Sequence, residues 1–401
     1  MRYFVHATLF AAVGLAAGSA AADVTSLKIG VLNDQSGLYT DLSGPAGVDA
    51  VRMAVEDFGG SIGGAKIEVV SADHQNKPDI GTAIVRQWFD QDHVDIVMDV
   101  PSSGVALAVN EVAREKNKIA IFSGPGSSDL TNAKCSPSGV HWTYDTYALA
   151  KGTGSAITKN GGNTWFFLTA DYAFGQALER DTAAVIEANG GKVLGEVRVP
   201  LSTPDFSSFL LQAQGSGAKV IGLANAGGDT ITSIKQASEF GITAGGQQLA
   251  GLLVLITDVH SLGLKAAQGL QLTASFYWDL NDETRAWSKR FFARNNKEPT
   301  MAVAGLYGAT MHYLNAVKAV NSTDTAKVME QMRKTPINDF MTKNGKLRED
   351  GKVMRDMYLF QVKTPEESKG PWDYYKLIRE IPAAEVTRPV AESVCPLLHK
   401  S

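Results

Sequence analysis

The chain has 401 residues, 44% of them apolar and 20% charged, with a formal net charge of −4. That balance offers neither the basic field a nucleic-acid partner demands nor a polybasic membrane patch. A chain of this length also exceeds what one hydrophobic core usually organises, so two lobes are expected.

Residues 1–22 open with one Arg, run apolar from Tyr3, and end in Ala20-Ala21-Ala22 ahead of Asp23. A positive start, a short apolar stretch and small residues at the cut are the pattern of a cleaved secretory signal. The mature protein is therefore expected to begin near Asp23 and to work outside the cytoplasm. Behind it, apolar β-rich runs alternate with helix-period stretches. Strands are expected at 27–32, 65–70, 94–98 and 118–122, with helices at 44–58, 79–89 and 105–115 between them. The two cysteines, Cys135 and Cys395, both lie in the exported part, and the simplest use of such a pair in an oxidising compartment is one disulfide. A reactive thiol or a metal site is the weaker alternative.

After His141-Trp-Thr-Tyr-Asp145 the alternation starts again. Strands are expected at 164–168, 193–199, 219–223, 249–256 and 269–276, and helices at 175–188, 206–214 and 230–240. From Asp282 the pattern turns helical, at 284–294, 302–320 and 325–333, and those helices are expected to return to the first lobe. Asn344-Gly345 and Asp350-Gly351 mark turns, and 353–362 reads as a late strand. The fold expected is α/β: two doubly wound parallel-sheet lobes joined by a three-segment hinge, with crossings near 141–146, 277–281 and 355–360. The division is 1–22 signal, 23–141 plus 280–355 lobe one, 142–279 plus 356–380 lobe two, and a tail at 381–401 tied to lobe one.

Lys28-Ile-Gly-Val-Leu-Asn-Asp-Gln-Ser-Gly37, the GVDAVRMAVED run at 47–57, Gly124-Pro-Gly-Ser-Ser-Asp-Leu-Thr131 and Thr169-Ala-Asp-Tyr-Ala-Phe-Gly175 together resemble the leucine/isoleucine/valine-binding protein family. The resemblance runs in order through nearly the whole mature chain. It implies the type I periplasmic binding fold, a periplasmic location, and the role of solute receptor for an ABC importer with its permease subunits as partners.

In open α/β sheets ligands sit outside the carboxyl ends of the strands. Ser102-Ser103-Gly104 follows the third strand and opens a helix, whose free N–H groups and positive dipole end suit a carboxylate. Gly126-Ser127-Ser128 occupies the same place after the fourth strand, and the resemblance implies that these two loops clamp the ligand carboxylate. The bland alternative is that each serine caps a helix or turn. On the opposite wall, Tyr172 and Phe174 sit in the DYAFG turn, and Ala226-Gly-Gly228-Asp229 follows the next parallel strand, where Asp229 either caps the helix from Thr230 or reaches the ligand. Tyr39 and Tyr277 complete the ring supply facing the cleft. The family's amino-acid receptors carry an acid just after the following strand to pair with an ammonium, whereas here 251–256 is apolar up to Asp258. An unpartnered buried ammonium is costly, which favours an aromatic or apolar small carboxylate, with a branched-chain amino acid second.

No cofactor, metal or catalysis is expected. No Gly-x-Ser-x-Gly elbow, His-Glu-x-x-His or Walker motif occurs, and the histidines, among them His74, His141, His260 and His312, are not spaced as ligands. An exported serine hydrolase built on Ser127 and a distant His is the remaining enzyme reading.

Overall fold

The computed structural model of the chain describes residues 24–399; the expected signal at 1–22 lies outside the described residues. Strands β1 (Leu27–Asn33), β2 (Ser61–Ile62), β3 (Ala65–Asp73), β4 (Ile96–Asp99), β5 (Ile119–Phe122) and β6 (Gly139–His141) form a six-stranded sheet in the order β2-β3-β1-β4-β5-β6. Apart from the β2–β3 hairpin all neighbours run parallel. Helices α1 (Gly44–Phe58), α2 (Pro78–Asp90) and α3 (Ser103–Glu115) make the crossovers. Parallel strands are covered on both faces, so they read as unbroken apolar runs; β4 and β5 are buried at every position.

The pattern repeats in β7 (Thr164–Ala170), α4 (Ala173–Ala188), β8 (Lys192–Val199), α5 (Ser207–Gly215), β9 (Val220–Ala224), α6 (Gly228–Glu239) and β10 (Gln248–Gly251). These strands form a second parallel sheet, ordered β10-β9-β7-β8. The strand expected at 249–256 pairs only as far as Gly251. Residues 252–255 leave the sheet, and a short helix, α7 (Ile256–Leu262), follows. A short apolar run does not by itself distinguish a strand from a buried loop and helix start; here Asp258 decides, its carboxylate accepting the Leu255 N–H at 2.9 Å to close the helix entry.

Strand β11 (Gln271–Ala274), expected to extend the parallel set, instead pairs antiparallel with β12 (Met357–Val362), which pairs antiparallel with β13 (Tyr375–Ile381) in a separate sheet. The late strand expected at 353–362 is thus broken: Val353–Met354 pairs with Lys346–Leu347, and β12 starts afresh at Met357. Strand β13 had no sequence signature, because five consecutive residues between its buried ends are exposed.

Helices α8 (Asp282–Asn295), α9 (Met301–Val320) and α10 (Thr325–Lys334) follow the expected spans. α8 returns to the first sheet's α1, with Arg294 paired to Asp49 and Glu56 and Arg290 to Asp57. The chain therefore passes between the lobes three times: after β6, between β11 and α8, and between Met354 and Met357. A disulfide joins Cys135 to Cys395 across a separation of 260 residues. The tail also reaches the second lobe, where Arg388 meets Asp181 on α4 at 3.1 Å.

Candidate functional site

The loops that leave the carboxyl ends of β1, β4 and β5 meet those leaving β7 and β9 across the seam between the lobes. Gly126 stands at this seam. A side chain there would put its Cβ 2.7 Å from the Phe174 ring and 3.0 Å from the Tyr144 ring, so only glycine permits this approach. Beside it, the Tyr39 and Tyr172 hydroxyls are hydrogen-bonded to each other, one from each lobe. Gly227 adopts a positive φ of 58° and lies under Tyr39, so a Cβ at Gly227 would stand 2.6 Å from the Leu38 carbonyl oxygen. The Gly228 N–H donates to that carbonyl at 3.4 Å. Thr257 Oγ1 on α7 donates to the Asp41 carbonyl at 3.1 Å. The lobes are therefore in direct contact, in a closed arrangement.

Ser102 is the residue before the first turn of α3, and its side chain makes no capping bond. Ser103 Oγ accepts the Ser127 N–H at 3.1 Å, which ties the two serine loops together. Ser127 Oγ accepts the Asp129 N–H at 3.4 Å, opening a short 3-10 turn. That hydroxyl thus has a capping role and no histidine partner. His141, the nearest in sequence, uses its Nε2–H on the Pro125 carbonyl at 2.7 Å, and burial pushes its pKa down to about 4. The Ser127–histidine pair that a hydrolase would use is not formed between these two residues.

Three of the expected residues have other partners. The Ser128 hydroxyl is taken up within the protein: it donates to Asp181 at 2.6 Å and accepts from Arg180 at 3.0 Å. Asp229 does not cap α6, whose first-turn entry is Gly227 without a side-chain cap; its carboxylate accepts the Ser202 N–H at 3.1 Å, and burial raises its pKa to about 6. It stays close enough to Tyr39 and Tyr172 to raise theirs. The Tyr277 ring packs on Tyr375 and Phe360, at 5.0 Å and 5.6 Å between ring centroids. Tyr39, Gly126, Tyr172, Phe174 and Gly228 meet across the seam, and Ser103 and Ser127 are tied to each other beside Gly126, with Ser102 at the head of α3.

Sequence reasoning missed three acids. Asp99 ends β4 with a positive φ of 83° and accepts from Asn33 Nδ2 at 3.1 Å. Asp258 is buried, beside Asp41, and acts electrostatically on Tyr144 and Tyr375. Burial raises both to about 7. Asp181 is buried on the apolar stripe of α4, where an acid amid Ala177, Leu178 and Val185 was the available signal. It accepts from Ser128 and Thr146, each at 2.6 Å, and from Arg388, joining first lobe, second lobe and tail. Asp181→Ala would strand those donors and is expected to lower stability by about 2–4 kcal/mol, read as a lowered urea midpoint.

A carboxyl held at about 7 when folded and near 4 when unfolded keeps a proton that the unfolded chain has lost. Its contribution to stability therefore falls as pH rises from about 4 to 7. Asp258→Asn keeps the Leu255 acceptor and removes the charge. The variant should gain on the wild type, by on the order of 2–4 kcal/mol, between pH 5 and pH 8. Urea unfolding at the two pH values checks this.

Among the described residues no helix is long and apolar enough to cross a membrane. The periplasmic binding protein family profile matches residues 26–371. The Leu/Ile/Val-binding protein homolog 6 of Brucella melitensis is 25% identical over 339 residues, 81% of this chain and 84% of that protein. A periplasmic binding protein from Burkholderia mallei superposes with a TM-score of 0.92 at 54% identity, covering 93% of this chain and 99% of its own. A branched chain amino acid ABC transporter periplasmic ligand-binding protein from Burkholderia xenovorans LB400 gives 0.83 at 39% identity, covering 93% and 100%. An R. palustris solute binding protein in complex with benzoate shares the fold at 23% identity and a TM-score of 0.79, covering 89% and 97%.

Proposed function

The chain belongs to the periplasmic binding protein family, and we propose that it is an extracytoplasmic receptor that captures a small carboxylate-bearing apolar or aromatic ligand and delivers it to an ABC-type importer. The observation that carries this reading is the seam at Gly126, where the Gly126–Ser127 loop, tied to Ser103, approaches Phe174 of the other lobe while Tyr39 meets Tyr172. The first N–H groups of α3 have no acceptor within the helix and favour an anionic oxygen. Tyr39, Tyr144, Tyr172 and Phe174 offer ring surface for a flat or branched body. Ligand contacts are assigned to Tyr39, Ser102, Ser103, Gly126, Ser127, Tyr172, Phe174, Gly228 and Asp229. A ligand that bridges both walls shifts the population toward the closed form, which the permease reads; no cofactor or bond chemistry takes part. Export through a cleaved 1–22 signal and lobes split as 23–141 plus 280–355 and 142–279 plus 356–380 complete the proposal.

A branched-chain amino acid is the second reading, favoured by Asp258, a buried carboxyl after β10 that acts electrostatically on Tyr144 and Tyr375. Titration calorimetry of refolded, ligand-stripped protein separates the two. Binding of benzoate-like or cinnamate-like acids with weak leucine binding is expected; tight leucine binding with no response to those acids would reverse the order.

A further inference from the structure

Away from the serine loops, a cavity of about 450 Å3 opens beside the hinge, walled by Trp278, Phe292, Pro371 and Trp372 with Glu298 among them. It spans both lobes: Phe292 belongs to α8, which packs on α1, while Trp372 stands in the β12–β13 loop and stacks on His260 of α7, ring centroids 3.9 Å apart. Trp372 is held with φ of 70°, a conformation bulky residues rarely take. The Trp278 indole N–H fixes it there, donating to the Trp372 carbonyl at 2.8 Å.

Glu298 is 9% exposed, and its Oε2 is buried without a hydrogen-bond partner. Unpartnered buried carboxyls are rare in folded proteins. Burial and the neighbouring Asp279 raise its pKa to about 7, and no cation among the described residues offsets them. The two basic residues on the rim do not serve it: Arg285 is engaged by Asp279 at 2.8 Å and Asp282 at 2.6 Å, and Lys289 is exposed. A carboxyl-bearing side chain on the cavity wall with no cation beside it, among aromatic rings whose faces attract positive charge, defines the complement.

We infer that this cavity is a second binding site, for a small organic cation such as an amine or quaternary ammonium, seated among Trp278, Phe292 and Trp372 with its charge toward Glu298. Because one wall comes from each lobe, its occupant favours the closed arrangement.

The test is titration calorimetry of the full mature chain with benzyltrimethylammonium, for the wild type, Glu298→Gln and Lys289→Ala, with melting temperatures recorded for each. Saturable binding is expected, weakened about tenfold or more by Glu298→Gln and tightened about two- to threefold by Lys289→Ala, which removes a like charge from the rim. Glu298→Gln should leave carboxylate binding at the serine loops unchanged, which separates this site from that one. Absence of saturable binding, an unchanged affinity in Glu298→Gln, or weakening by Lys289→Ala would each overturn the proposal.

Discussion

Gly126→Val is expected to cut affinity for the captured carboxylate by about 5- to 150-fold, the equivalent of the 1–3 kcal/mol that overpacking a close contact costs. The added side chain would start 2.7 Å from the Phe174 ring and 3.0 Å from the Tyr144 ring. Phe174 is carried by the opposite lobe, so the clash is relieved most cheaply by holding the lobes apart rather than by rearranging either one. The ligand-free variant should therefore melt near the wild type while failing to compact in solution scattering when the carboxylate is added. Wild-type affinity in Gly126→Val would show that closure does not bring these two loops together.

Removing the Cys135–Cys395 disulfide by the double substitution Cys135→Ala, Cys395→Ala has the largest expected effect on stability. The bond closes a loop of 260 residues, and in the chain-entropy account a loop of that size restrains the unfolded state by about 5 kcal/mol. Local hydrogen bonds remain, with the Val394 N–H on Asn132 Oδ1 at 2.8 Å and Ser393 Oγ on the same atom at 3.2 Å, but these alone cannot replace a covalent tie. The variant should unfold at clearly lower urea concentration, and the wild type should behave like it once reduced. An unchanged midpoint would place the tail's contribution in those hydrogen bonds and in the Arg388–Asp181 pair.

The two lobes were legible because parallel strands covered on both faces leave continuous apolar runs, as in Ile96–Asp99 and Ile119–Phe122. The serine loops were legible for a related reason: their place after buried strands and before helices is a local property. What escaped was whatever depends on a partner far along the chain. Ser128 looks like a second clamp in its own loop, yet its partner Asp181 lies 53 residues away. The run up to Asp258 looks like a strand, and only the end of pairing at Gly251 turns the acid into a helix cap on the seam. Strand β13 shows no alternation because it lies at the edge of its sheet with Leu377 and Ile378 exposed. Tyr277 lies between β11 and α8, and the partners of its ring, Phe360 and Tyr375, are more than 80 residues away.

The central claim is that a small anion is held between the serine loops and the ring-bearing turn, and hydrogen exchange tests it most directly. Stripped protein would be compared with and without whichever carboxylate saturates it in the calorimeter. Slowed amide exchange is expected at 102–106, 126–131 and 172–176 together, since these segments form the two sides of one seam. Saturating ligand that leaves all three exchanging at their free rates, or that protects only segments elsewhere, would contradict the account.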